Sequence, residues 1–260
     1  QRALKKKKGS NLIYFGPGVH NLPNDTLFVP SGTTVYIDGG ARVYGNIFTE
    51  GAHDVNIFGR GEVHPDGRGA GVWVRRSKNV RIDGIVVSQL PIGQCDSVEL
   101  TNVKSISYYG WGDGMDVFSS SNVILDGVFC RNSDDCAAVY ASTQGFKGGS
   151  NNVLVKNATL WADVAHPINI GGHGDPNGMD TVQNVTFRNI DILDQAENQI
   201  DYQGCLAINP GDNTLVRNIT FENIRIEDFR NGQLVNFRIS FNPKYCVSTG
   251  RGIQNVLVKD

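Results

Sequence analysis

Short apolar runs alternate along this chain with turns rich in Asn, Asp and Gly, and one phrase keeps returning: Asn, a β-branched residue, any residue, then usually an aliphatic or aromatic one. It stands at Asn56-Ile57, Asn79-Val80-Arg81-Ile82, Asn102-Val103-Lys104-Ser105, Asn122-Val123-Ile124-Leu125 and Asn152-Val153-Leu154-Val155. It returns at Asn184-Val185-Thr186-Phe187, Asn218-Ile219-Thr220-Phe221 and Asn255-Val256-Leu257-Val258. Successive copies are 23, 23, 20, 30, 32, 34 and 37 residues apart, as if one unit in the low twenties took up loop insertions. Each repeat holds a second strand-like run, such as Met115 to Phe118, Cys136 to Tyr140, Ile168 to Ile170, Leu206 to Ile208 and Leu234 to Phe237. Apolar positions recurring at period two between turn residues predict strands, and no segment sustains the i, i+3, i+4 spacing of an amphipathic helix.

Three architectures use many short strands. A sandwich favours hairpin turns every 8–12 residues and a propeller a period of about 40–45 residues. A parallel β-helix uses one coil per repeat and stacks equivalent positions coil upon coil. The repeat predicts the last: an all-β fold, a single-stranded right-handed parallel β-helix forming one domain over residues 1–260. The recurring Asn residues are expected to form a structural ladder at a turn. Adjacent coils should lie about 4.8 Å apart, so residues one coil apart in sequence become neighbours in space.

Composition narrows the possible functions. The 260 residues include 31 Gly, 19% charged and 40% hydrophobic residues, with a net charge of −2. That is too apolar and too nearly neutral for a disordered chain. Lys and Arg (24) nearly balance Asp and Glu (26), which argues against a nucleic-acid surface. No apolar run is long enough for a membrane span. Five cysteines without a CxxC pair give no zinc pattern and read as buried small residues, with at most one disulfide. Residues 1–10 carry Lys5 to Lys8 without an apolar stretch, so they are expected to be an exposed start or loop rather than a signal peptide. The chain stops within a repeat, which predicts a piece of a longer solenoid.

The chemistry concentrates around one cluster. Asp113 lies in Trp111-Gly112-Asp113-Gly114-Met115-Asp116, and 21 residues later comes Ser133-Asp134-Asp135-Cys136. One coil apart, Asp113, Asp134 and Asp135 should crowd together at the start of a strand. Such crowding is costly unless a proton or cation relieves it, and costs of this kind gather at functional sites. A protonated and an ionised carboxyl side by side are what glycoside hydrolysis requires. Aligning Ile170 with Val139 places His166 on Asp135, where it can tune the protonation of the pair.

These motifs together resemble the polygalacturonases, family 28 glycoside hydrolases, and the related dextranase and isopullulanase family 49. The resemblance runs from about residue 56 to 260 and is strongest over 111–171. It implies an inverting hydrolase with Asp134 as general acid, Asp113 and Asp135 positioning and deprotonating water, and His166 supporting the network. It also implies a polysaccharide or oligosaccharide as partner, secretion or a periplasmic location, and no cofactor or metal. Two departures stand out. Trp111-Gly112 replaces the Asn-Thr that precedes the first Asp. Ala207-Ile208-Asn209 occupies the coil after His166, where galacturonate-cleaving members carry Arg-Ile-Lys. Losing that basic pair removes charge-assisted contacts to a sugar carboxylate, so the expected substrate is a neutral or differently charged glycan rather than plain polygalacturonate. Arg238 and Lys244, one coil further on, are the candidates to restore charge. Trp111, Tyr140, Tyr202 and Tyr245 are candidate stacking platforms. His173 and the Gly-rich insertion Ser142 to Ser150 are expected to flank the cleft. The competing readings are a Ca²⁺-dependent polysaccharide lyase, which needs an Arg or Lys base, and a non-catalytic carbohydrate-binding coil.

Overall fold

The structure, a computed structural model, describes residues 11–260 and the backbone of Lys5 and Lys6. The reading of residues 1–10 as a loop lies outside the described residues, except that Lys5–Lys6 forms a short strand antiparallel to Leu12–Phe15. From Leu12 onward the strands named below pair in parallel with their equivalents one coil away, and the described residues contain no helix. The chain winds as a right-handed parallel β-helix.

Three ribbons of strands make its faces. The first runs through His53–Gly59, Lys78–Asp83, Asp96–Thr101 and Ser121–Asp126 into Asn151–Ala162. The second runs through Glu62–His64, Val86–Val87, Lys104–Ile106 and Phe129–Asn132. The third runs through Val72–Arg75, Ile92–Gly93, Val117–Phe118, Ala137–Tyr140, Ile168–Ile170, Leu206–Ile208 and Val235–Phe237.

Period-two alternation points every second side chain inward, where equivalent positions stack. In the first ribbon Val80, Val98, Val123, Val153, Val185 and Ile219 form one fully buried column. Beside it Ile82, Leu100, Leu125 and Val155 lead to Phe187 and Phe221, whose rings stack at 5.8 Å. Burying each such side chain is worth about 1.5–3 kcal/mol, so the columns are the main source of stability.

The Asn ladder is present at the turn entering the first ribbon. Asn152 donates to Asn122 at 2.7 Å, Asn218 to Asn184 at 3.1 Å, and Asn255 to Asn218 at 3.1 Å. These residues adopt φ between 52° and 58°, a left-handed conformation that Asn tolerates better than most side chains. Two copies of the phrase are out of register. Asp54, not Asn56, lies beside Asn79, and Ser97, not Asn102, lies between Asn79 and Asn122. Asn102 belongs to a second left-handed turn, between the first and second ribbons, with Gly127, Asn157, Asn189 and Asn223. Each coil has two turns with the same backbone demand, so the same phrase marks both, and the apparent period blends two spacings. All five cysteines are buried and unpaired.

Candidate active site

The outer face of the third ribbon forms the floor of a cleft of about 940 Å³. Along this ribbon Val117, Val139 and Ile170 point into the core, so their neighbours Asp116, Ala138 and Asn169 point out. The turns that lead into the ribbon make one wall and the turns that leave it make the other.

The entering wall carries the acids. Met115 donates its N–H to the Cys136 carbonyl at 2.9 Å, and Gly114 to that of Asp135 at 2.7 Å, which sets Asp113 beside Asp135. Gly114 is required for this approach, because a Cβ there would come within 2.1 Å of the Cys136 carbonyl oxygen. The buried Asn132 amide holds the loop from beneath, donating to the Asp113 carbonyl at 3.2 Å and to Ser107 Oγ at 3.0 Å. One carboxylate oxygen from each of Asp113, Asp134 and Asp135 lies within 4.8 Å of the others.

Asp135 is fully engaged. Its Oδ1 accepts from the His166 backbone N–H at 3.0 Å and from His166 Nδ1 at 2.7 Å, and its Oδ2 from Tyr140 Oη at 2.6 Å and Asn169 Nδ2 at 2.7 Å. Burial pushes this carboxyl up, but the His166 charge and the hydrogen bonds from His166, Tyr140 and Asn169 outweigh it and hold it at about 2. His166 Nε2 faces the Tyr202 carbonyl, which can only accept, so both ring nitrogens donate. Burial disfavours the imidazolium, yet the Asp135 charge and hydrogen bond raise His166 to about 9. Asp135 and His166 are therefore a fixed ion pair. The next two acids face that fixed anion. Burial, then the Asp135 charge, raises Asp134 to about 7, and burial followed by the Asp134 and Asp135 charges raises Asp113 well above the carboxylate range. At least one of these two carboxyls holds a proton near neutrality.

The expected registers of Asp113, Asp134, Asp135 and His166 match the pairing of Val117 with Val139 and of Val139 with Ile170. Trp111 stands on the rim, 59% exposed, with φ at +62°, a strained conformation for a bulky residue. Tyr140 lines the cleft but is buried, stacked on Phe118 at 6.0 Å, so it serves through its hydroxyl and not as an exposed platform. His173 lines the far wall, edge-on to Tyr140 at 5.0 Å, and burial lowers its pKa. Tyr202 and Tyr245 also line the cleft. Thr143 and Gln144 bring the insertion Ser142 to Ser150 to the far wall as expected.

The two basic candidates separate. Lys244 faces the cleft, its Nζ 4.9 Å from the Trp111 ring and 2.9 Å from Tyr245 Oη. Arg238 does not line it; its guanidinium pairs with Asp201. Ala207 and Ile208 follow Asn169 and Ile170 on the next coil, so no basic pair stands there.

Sequence reasoning passed over Asp116, Asn169 and Glu197, which also line the cleft. Asp116 is 4% exposed with Oδ1 unpartnered, and burial followed by the Asp113, Asp135 and Asp134 charges raises it well above the carboxylate range. The signal for Asp116 and Asn169 was a polar residue at the outward position of an otherwise apolar strand.

A carboxyl cluster with split protonation, set in a cleft, is an arrangement that glycoside hydrolysis can use. The family model for glycosyl hydrolases family 28 matches residues 72–260, and the chain belongs to that family. An exopolygalacturonase of Cochliobolus carbonum is 24% identical over 206 residues, covering 69% of this chain and 44% of that protein. The chain thus spans less than half the length of this curated relative. The solved family 28 exopolygalacturonase of Yersinia enterocolitica superposes with a TM-score of 0.75 at 14% identity, over 96% of this chain and 60% of that one. An endo-xylogalacturonan hydrolase of Aspergillus tubingensis gives 0.53 at 12% identity, over 92% of this chain and 91% of that one.

Proposed function

We propose that this chain hydrolyses a glycosidic bond of a polysaccharide or oligosaccharide, with Asp134 as general acid and Asp113 as the group that activates water. The observation that carries this reading is the split protonation at the cluster: Asp135 is fixed as an anion while Asp134 is raised to about 7. Asp134 then supplies a proton to the leaving oxygen at mildly acid pH. The sequence pattern suggested that Asp135 also deprotonates water. Its four hydrogen bonds favour a narrower role: a fixed negative charge that stabilises positive charge developing on the sugar. In the reactive form the proton shared by Asp113 and Asp134 sits on Asp134, and the ionised Asp113 takes the proton of the attacking water.

The cleft is acidic. Among the described residues, five carboxyl groups line it, against Lys244 as the one lysine and no arginine. That balance favours a neutral or sparsely charged glycan over a uniformly anionic chain, although the relatives named above include exopolygalacturonases. A lyase would need an uncharged basic side chain. Arg131 lies outside the cleft, over the Trp161 ring at 4.2 Å, and Lys244 is kept protonated by its hydrogen bond to Tyr245.

Incubation with dextran, α-glucans, galactans, pectins and rhamnogalacturonan, with reducing-sugar release as readout, tests the reading. Release from at least one glycan is expected, unaffected by a chelator and without unsaturated products, and Asp134→Asn should cut it by roughly 10²–10⁴-fold. Release from none of them by the intact chain would overturn it. The nearest oxygens of the three carboxyls lie within 4.8 Å of one another, which leaves retention, where the two carboxyl groups stand about 5–5.5 Å apart, as the second reading. We propose inversion, with water held between Asp113 and Asp135. NMR of the first-formed anomer decides between the two.

A further inference from the structure

The two walls of the cleft differ at its two ends. At the N-terminal end the connections leaving the third ribbon are two residues each: Arg76–Ser77, Gln94–Cys95 and Ser119–Ser120. Further on, the corresponding segments are residues 141–150, 171–180, 209–214 and 238–251. The last of these crosses the cleft. Gln199, on the entering wall, donates to Tyr245 Oη at 3.0 Å and accepts from Asn242 Nδ2 at 3.2 Å. The Tyr202 and Tyr245 rings meet edge to face at 5.7 Å. Lys244 reaches back over the acids to the Trp111 ring on the opposite wall.

We infer that the cleft is blind at its C-terminal end and that the protein attacks its glycan from a chain end. The barrier stands over the strands Leu206–Ile208 and Val235–Phe237, and only one coil, that of Ile168–Ile170, separates it from the coil of Asp134 and Asp135. At the spacing of stacked coils, the strand Leu206–Ile208 begins about 10 Å beyond the strand Ala137–Tyr140. The room between the acids and the barrier is at most that distance, enough for one or two sugar rings and no continuing polymer. On the N-terminal side no hydrogen bond among the described residues joins the two walls, so a long chain can leave the cleft there. Family membership does not decide this, since the matched proteins include both exo- and endo-acting enzymes by name. The inference rests on the hydrolase reading.

The test follows viscosity and reducing-end release together on each glycan of the substrate screen, with product sizes read by chromatography. A mono- or disaccharide is expected as the first product, with viscosity falling only in step with the mass removed. At equal mass, polymer sheared to shorter chains should be hydrolysed faster, in proportion to its chain ends. The double substitution Gln199→Ala with Asn242→Ala removes the two side-chain hydrogen bonds that Gln199 makes to the barrier. It should raise the ratio of viscosity loss to reducing ends severalfold. A ladder of oligosaccharides with early viscosity collapse by the unaltered chain, or a rate indifferent to shearing, would overturn blind-end attack while leaving hydrolysis intact. Absence of reducing ends from every glycan would instead remove the hydrolase reading on which it stands. The shearing comparison needs no variant, so it decides even if the double substitution disturbs folding.

Discussion

Asp135 and His166 show how one buried pair sets the protonation of everything around it. Held at about 9, His166 contributes stability that is complete below its ordinary value of about 6.5 and is lost as pH rises through about 9. Asp135, held at about 2, contributes stability that is complete above about pH 4 and is lost as pH falls through about 2. Asp134 works the other way from Asp135: raised to about 7, it favours the protonated fold, so stability declines as pH climbs from about 4 to 7. Thermal melts should therefore peak near pH 4–5, and Asp134→Asn should flatten the decline between about pH 4 and 7. If Asp134 is the acid, kcat/KM should fall above about pH 7, one power of ten per unit. An activity that keeps rising to pH 9 would exclude Asp134 from that role.

The strands and their turns were legible in the sequence to different degrees. Alternation in Asn122-Val123-Ile124-Leu125 reveals both the strand and its inward face, because Val123 and Leu125 are the buried positions. Register across the third ribbon was equally legible, since a 21-residue coil sets Asp113 beside the Asp134-Asp135 pair and the apolar strand ends Val139 and Ile170 set His166 on Asp135. What local pattern could not separate was the two turns of a coil, because Asn102 and Asn122 meet the same left-handed requirement at different corners. Nor could it show that Arg238 turns to Asp201, a contact between segments 37 residues apart. The turns carry a prediction of their own. Asn152 sits at φ 56° and donates to Asn122, so Asn152→Ala should cost about 1–2 kcal/mol. Asn152→Gly, which relieves the conformation but loses the hydrogen bond, should cost less. Urea unfolding of the two variants measures the difference, and equal losses would mean that the ladder bond, not the backbone, sets the cost.

At the scale of the whole molecule, lengthening coils build an asymmetric cleft on a regular rod. The stretch from Asn79 to Ser97 closes a coil in 18 residues and that from Asn218 to Asn255 in 37, while the stacked core strands stay alike. The added residues go largely to the corners beside the third ribbon, where they become walls and then a barrier. The asymmetry also has a temporal side. Asp113, Asp134 and Asp135 leave the ribosome more than a hundred residues before Asn242 to Tyr245, so the bottom of the cleft is complete as chain well before its far end exists. A nascent solenoid winding from its N-terminus would pass through a state with its acids aligned and the groove still open toward its C-terminal side, closed only when the coil of Val235–Phe237 and the segment after it are laid down.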